Sequence, residues 1–272
     1  MSEPMVKLDS SYYTIPEWTN VDSELVVGIS TKQLPTNGNG NLAFHVTNDW
    51  KTVQVNRQQL ANALSFPVQH WVGAEQTHES LIVKVQRKHR GRGALDYSTS
   101  FPHTDGFYTT EKGILLTLCF ADCVPLYFRA RNCPIIGVAH AGWKGTVRNI
   151  AGQMIDTFKK EGVSPADIEV VIGPSICSAC YIVDDKVINL VKKTVEHGVE
   201  NIYNEVKPGQ YELDLKKVNK LLLIQAGVKR EHIQTSSLCT SCKEEDFFSH
   251  RRDKGNAGRM LAFIGWKEDR SK

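Results

Sequence analysis

The chain has 272 residues, 41% of them apolar, enough to bury a sizeable core in one large domain or two small ones. Its 33 basic and 30 acidic residues leave a formal net charge of +3, far from the footprint of a nucleic-acid binder, so small, mildly charged ligands are expected instead. The start, MSEPMVKLDSSYY, has no basic run followed by an apolar one, and the most apolar segment, GILLTLCFA, is cut off by Asp122 well short of a bilayer span; a cytoplasmic protein without membrane contact is expected.

In chain order, LPTNGNGNLAF (34–44) is dense in Gly and Asn and reads as loop. Helical periodicity predicts a helix over 52–64, and β-rich, alternating runs predict strands over 68–78 and 80–86. The basic QRKHRGRG (86–93) reads as a solvated loop. Strands are predicted over 113–120, 125–130, 134–140 and 168–174, and helices over 146–162, 184–198 and 214–227, each helix closing on a glycine. Adjacent strands mixed with strand-to-helix crossovers predict a mixed-sheet α+β or α/β fold, and the absence of repeats or low-complexity segments predicts one domain over 1–272.

His140 ends the apolar run PIIGV, where the chain turns through Ala141 and Gly142 toward a helix, a place where ligand sites collect. Alone, it reads more readily as a hydrogen-bonded structural histidine than as a functional one. The neighbouring segment TLCFADCVPLYF repeats the arrangement with Asp122 and Cys123 at the polar break, and His78 stands where VQHWVGA gives way to AEQTHES. Two histidines and a cysteine at three strand-to-loop junctions suit a zinc site with its fourth position open, although spacings of 45 and 17 residues match no compact zinc motif.

The segments EQTH, ADCVPL, AHAGWKGT, IGPSICSACYIV and FFSHRRDKGNAGR together closely resemble the YfiH-type family, long labelled multicopper polyphenol oxidases or laccase-domain proteins and more recently regarded as purine nucleoside phosphorylases. The resemblance spans about Asn41 to Trp266. It implies a layered α/β/β/α arrangement of mixed sheets, a metal held by His78, Cys123 and His140, and phosphorolysis of adenosine, inosine, guanosine or methylthioadenosine with deamination of adenosine. Purine nucleosides and phosphate are thus the expected partners, and zinc the expected cofactor, with copper as a softer alternative. Ile182 stands where the family usually has glutamate, Glu79 where it has glycine, and His250 where it often has tyrosine.

A metal with three protein ligands brings bound water to a pKa of roughly 7, which suits attack on the purine carbon bearing the amino group, with Asp122 or Glu79 as proton shuttle. Phosphorolysis needs an anion site beside the ribose. Lys144 and Arg148, on the helix after HAGW, and the Arg251–Arg252 pair are the candidates, an ion pair with Asp253 or Asp246 being the structural alternative for that pair. Cys177-x-x-Cys180 and Cys239-x-x-Cys242 could form a tetrathiolate site, but the gap between the pairs is far longer than a zinc ribbon's, so ordinary thiols are expected. A cysteine hydrolase built on a Cys123–His140 pair and a non-catalytic metal-binding regulatory protein remain alternatives; copper oxidase chemistry lacks the His-x-His clusters it needs.

Overall fold

The computed structural model describes residues 2–34 and 40–268; positions 35–39 of the expected 34–44 loop lie outside them. Two six-stranded sheets dominate. The first has the order β1 (Val6–Lys7), β2 (Tyr12–Thr14), β3 (Leu25–Ser30), β15 (Met260–Trp266), β7 (Ile114–Phe120), β4 (Trp71–Val72). The second has the order β14 (Ile233–Thr235), β10 (Ile168–Ile172), β8 (Val124–Ala130), β9 (Ile136–Ala141), β6 (Gly106–Thr109), β5 (Ile82–Lys84). A small antiparallel sheet joins β11 (Ile182–Asp184), β13 (Gln210–Leu213) and β12 (Tyr203–Lys207). The helices are α1 (Pro16–Thr19), α2 (Trp50–Leu64), α3 (Trp143–Val147), α4 (Ile150–Lys160), α5 (Asp185–Thr194) and α6 (Leu215–Gln225).

Period-two alternation builds the layers. Ile114, Leu116, Leu118 and Phe120 of β7 and Met260, Ala262 and Ile264 of β15 share one core with Tyr127, Ile136 and Val138 of the second sheet. The opposite faces of β7 and β15, Leu115, Leu261 and Phe263, pack on Leu60, Ala61 and Leu64 of α2. Val124, Leu126 and Phe128 of β8 and Ala139 and Ala141 of β9 face α4 and α6 through Met154, Ile155, Phe158 and Leu222. The order of layers is therefore α/β/β/α, and the central strands, buried on both faces, are near-continuous apolar runs.

Four expected elements differ clearly in extent, the strand expected over 80–86 being only Ile82–Lys84. Only Trp71–Val72 of 68–78 is strand, which leaves His78 on a loop. The helix expected over 146–162 is two helices, because Asn149 adopts a left-handed conformation (φ 57°) and its side chain caps α4 by accepting from the Gly152 amide. The helix expected over 184–198 ends at Thr194, where Val195 turns extended and Gly198 takes φ 80°.

Candidate functional site

The site lies between the two large sheets, at the end where β7 and β9 finish and β6 and β8 begin. His140 shares its face of β9 with Ile136 and Val138 and so enters the inter-sheet layer, its ring 5.2 Å from that of Phe120. Cys123, directly before β8, packs against the same layer. His78 comes from the loop between β4 and β5, with φ of 60° and its ring 4.8 Å from the His140 ring. Donor atoms of His78, Cys123 and His140 all lie within 4.8 Å of one another, and among the described residues no fourth His, Cys, Asp or Glu donor joins them. Gly142 explains the small residues of the HAGW turn: a Cβ there would sit 2.8 Å from Cys123 Sγ and 3.2 Å from His78 Cδ2.

A residue the sequence reading did not single out organises this trio. Asp105, fully buried before β6, accepts from His140 Nδ1 (2.8 Å) and from the backbone amides of His78 (3.2 Å) and Glu79 (2.7 Å). It thereby fixes both histidines and leaves Nε2 of His140 for Cys123 or a metal, the outer-shell pattern of metal-ligating histidines. Burial would raise the Asp105 carboxyl, but the His140 hydrogen bond and charge and the Glu79 amide hold it below the usual range. Burial would likewise raise the Cys123 thiol; the charge of His140 and hydrogen bonds from His140 and His78 bring it down to about 6. His140 moves the other way, to about 9: burial lowers it, and the Cys123 thiolate and Asp105 outweigh burial. A thiolate and two histidines fit zinc, which on binding displaces the proton held on His140 instead of one from an ordinary thiol.

The trio borders a cavity of about 440 Å³. Trp143, Ile176, Tyr181 and Leu215 give it apolar walls, and Arg251 and Arg259 supply cationic ones. Of the expected anion binders, Arg251 is present: its guanidinium lies 5.0 Å from the Tyr181 ring centroid and donates to the Ile182 carbonyl. Lys144 and Arg148 are not on the cavity wall. Both are exposed on the outer side of the short α3; Arg148 donates to the His78 carbonyl (3.3 Å) and approaches Glu79 (3.9 Å), and Lys144 stands over the Trp143 ring. Arg252 forms the structural ion pair with Asp253 (2.8 Å) and also binds the carbonyls of Thr240 and Ser241. Asp122 lines the cavity, but its carboxylate is engaged by the Thr240 hydroxyl (2.6 Å) and the Arg251 amide (2.9 Å). Arg259 and His45 were not singled out, although Arg259 closes the FFSHRRDKGNAGR segment. His45 is pushed down to about 4, by burial first and then by the neighbouring arginines, so it enters the cavity neutral.

A family model described as multi-copper polyphenol oxidoreductase laccase matches residues 26–267. The chain belongs to this family. It is 50% identical over 230 residues, 84% of each chain, to a Geobacillus stearothermophilus protein named purine nucleoside phosphorylase YlmD. It is 43% identical to the Bacillus subtilis protein of the same name, over 93% of this chain and 94% of that one. The crystal structure of YlmD from Geobacillus stearothermophilus superposes with a TM-score of 0.93 at 44% identity, covering 98% of this chain and all of that one. The resemblance noted in the sequence and the layered mixed-sheet fold it implied thus both hold. No helix among the described residues is long and apolar enough to cross a membrane.

Proposed function

We propose that the chain is a zinc-dependent, cytoplasmic purine nucleoside phosphorylase that cleaves adenosine, inosine, guanosine and methylthioadenosine with phosphate and also deaminates adenosine. One observation carries this reading: an open His–Cys–His donor set borders a nucleoside-sized cavity that two guanidinium groups also enter. The names of the relatives point the same way.

His78, Cys123 and His140 would hold the zinc, positioned by Asp105. When bound, zinc at such an open site supplies Lewis acidity and acidifies water to a pKa near about 7. The protein's own groups do the rest. Tyr181 and Trp143 offer ring faces to the purine, and Arg251 and Arg259 bind phosphate beside the ribose. In phosphorolysis a phosphate oxygen bonds to C1′ while the C1′–N9 bond breaks, its electron pair leaving with the purine. In deamination water adds at C6 and ammonia departs. Asp122 is assigned to holding the Arg251 backbone, since both its oxygens already accept hydrogen bonds; Glu79, exposed beside His78 and facing Arg148, lies off the cavity wall and is given no part in proton transfer.

The test follows adenosine with and without phosphate. Adenine and ribose 1-phosphate should form only with phosphate, inosine should form in either case, and both reactions should stop on chelation and return with zinc. Failure to release adenine with phosphate and zinc present would refute the phosphorylase reading; restoration of phenol oxidation by copper alone would favour the oxidase.

The aligned Cys123, His140 and Asp105 favour one second reading, a cysteine hydrolase acting without metal. Turnover that survives metal removal but not alkylation of Cys123 would establish it. A purely structural metal is disfavoured by the lack of a fourth donor at the trio; Cys119 and Cys133 do not join it.

A further inference from the structure

Cys177 and Cys180 lie between β10 and β11, and Cys239 and Cys242 between β14 and β15. Against the expectation from their spacing, their four sulfurs lie within 4.8 Å of one another. The fold closes the gap by parallel pairing: Ile172 of β10 is in register with Thr235 of β14, so both chains leave the sheet at the same end. The pairing continues past the strands, the Ser236 amide donating to the Ile172 carbonyl (2.8 Å) and the Thr240 amide to the Ser175 carbonyl (3.3 Å). The two CxxC turns are thus delivered side by side across a crossover that contains α5 and α6. A sequence gap too long for a ribbon is what a parallel pair requires.

We propose that Cys177, Cys180, Cys239 and Cys242 bind a second zinc ion as a closed, structural tetrathiolate site. A tetrahedron with Zn–S bonds of about 2.3 Å has sulfur–sulfur edges of about 3.8 Å; Cys180 Sγ and Cys242 Sγ are 3.5 Å apart. Cys239 Sγ accepts from the backbone amides of Cys177 (3.2 Å) and Cys242 (3.4 Å), a donor arrangement that favours thiolate. Four thiolates leave zinc a negative complex, and a buried ammonium lies beneath it: Lys216, 7% exposed, donates to the carbonyls of Ser236 and Leu238 on the segment leading to Cys239. The mechanism above uses none of these thiols. With four protein ligands the site leaves no position for substrate, so its work is mechanical. It ties together two walls of the cavity: Ile176 and Tyr181 flank the first pair, and Thr240, inside the second, holds Asp122 beside Cys123.

The inference is independent of the phosphorylase reading, because metal content tests it without turnover. The full chain, purified in reductant without chelator, should carry about two zinc ions, one per site. Cys123→Ser should keep one, and Cys180→Ser/Cys242→Ser should also keep one, with a lower melting temperature. Should the double variant fail to fold, Co(II) loaded into the Cys123→Ser protein reads the site intact, and the charge-transfer and visible bands of tetrahedral four-thiolate cobalt are expected. One zinc in the native chain, unchanged by Cys180→Ser/Cys242→Ser, would overturn the proposal. So would iron in place of zinc, or a Cys180–Cys242 disulfide in protein kept reduced throughout.

Discussion

Replacing Asp105 with asparagine removes the support of the trio without changing a ligand or the side-chain volume. Oδ1 accepts from His140 Nδ1 (2.8 Å) and the His78 amide (3.2 Å), and Oδ2 from the Glu79 amide (2.7 Å). Asparagine has one acceptor oxygen. Placed at Oδ1 it keeps two contacts and sets its NH₂ against the Glu79 N–H; flipped, it loses both contacts to the histidines. The smaller cost is one charge-assisted bond, about 1.5–3 kcal/mol of stability in the metal-free protein. The negative charge behind His140 is lost in either orientation, and removing such an outer-shell partner weakens metal binding about 10- to 100-fold. Zinc affinity is read by competition with a chromophoric chelator, and stability by denaturant unfolding of the metal-free protein. A folded Asp105→Asn protein that binds zinc as tightly as the native chain would refute the assignment of Asp105 as the residue that orients the ligands.

Arg251→Ala should raise the phosphate concentration needed for phosphorolysis about 10- to 100-fold, the value of one charge-assisted contact, with a smaller loss of deamination; Arg148→Ala should change neither, and phosphate titrations of adenine release against inosine formation check both. Gly142→Ala should cost zinc affinity while the chain stays folded, because its Cβ would meet Cys123 Sγ at 2.8 Å, a loss that metal analysis after dialysis detects. In metal-free protein Cys123 should be alkylated rapidly at neutral pH and more slowly as the pH falls through about 6, since the thiolate is the reactive form and its pKa is lowered; His140→Ala should move that midpoint up toward the ordinary thiol value, and mass spectrometry of the modified peptide follows it.

Strands β7, β8, β9 and β10 were legible because, buried almost wholly on both faces, they are near-continuous apolar runs, and the His78, Cys123 and His140 grouping was legible because each member breaks such a run or follows it. Strands β1 to β3 and β15 were passed over, although β15 is itself an apolar run, Met260–Trp266, fully buried between its neighbours. The break at Asn149 left no mark, because an asparagine in left-handed conformation looks in sequence like one more polar helix residue. Asp105 was illegible for a different reason. Its neighbours, Pro102, His103, Thr104 and Gly106, spell a turn, and nothing local says that its carboxylate reaches a histidine 35 positions away across β6 and β9.

The placement of the basic residues shows where local inference stops. Trp143, Lys144 and Arg148 lie within one short stretch at the start of a helix, yet only Trp143 reaches the cavity, because successive helical positions point about 100° apart and the phase is set by how α3 packs, not by its charge pattern. Arg251 reaches it from a chain segment more than 100 residues later because its amide is anchored on Asp122, the residue beside the Cys123 ligand. One carboxylate therefore links the arginine loop to the turn that carries Cys123, and Thr240, between the second pair of cysteines, completes its hydrogen bonding. Of the cations read from the sequence, Lys144 and Arg148 lie off the cavity wall, whereas the hydrogen-bonded frame around Asp122 places Arg251 on it, beside the turn that carries Cys123.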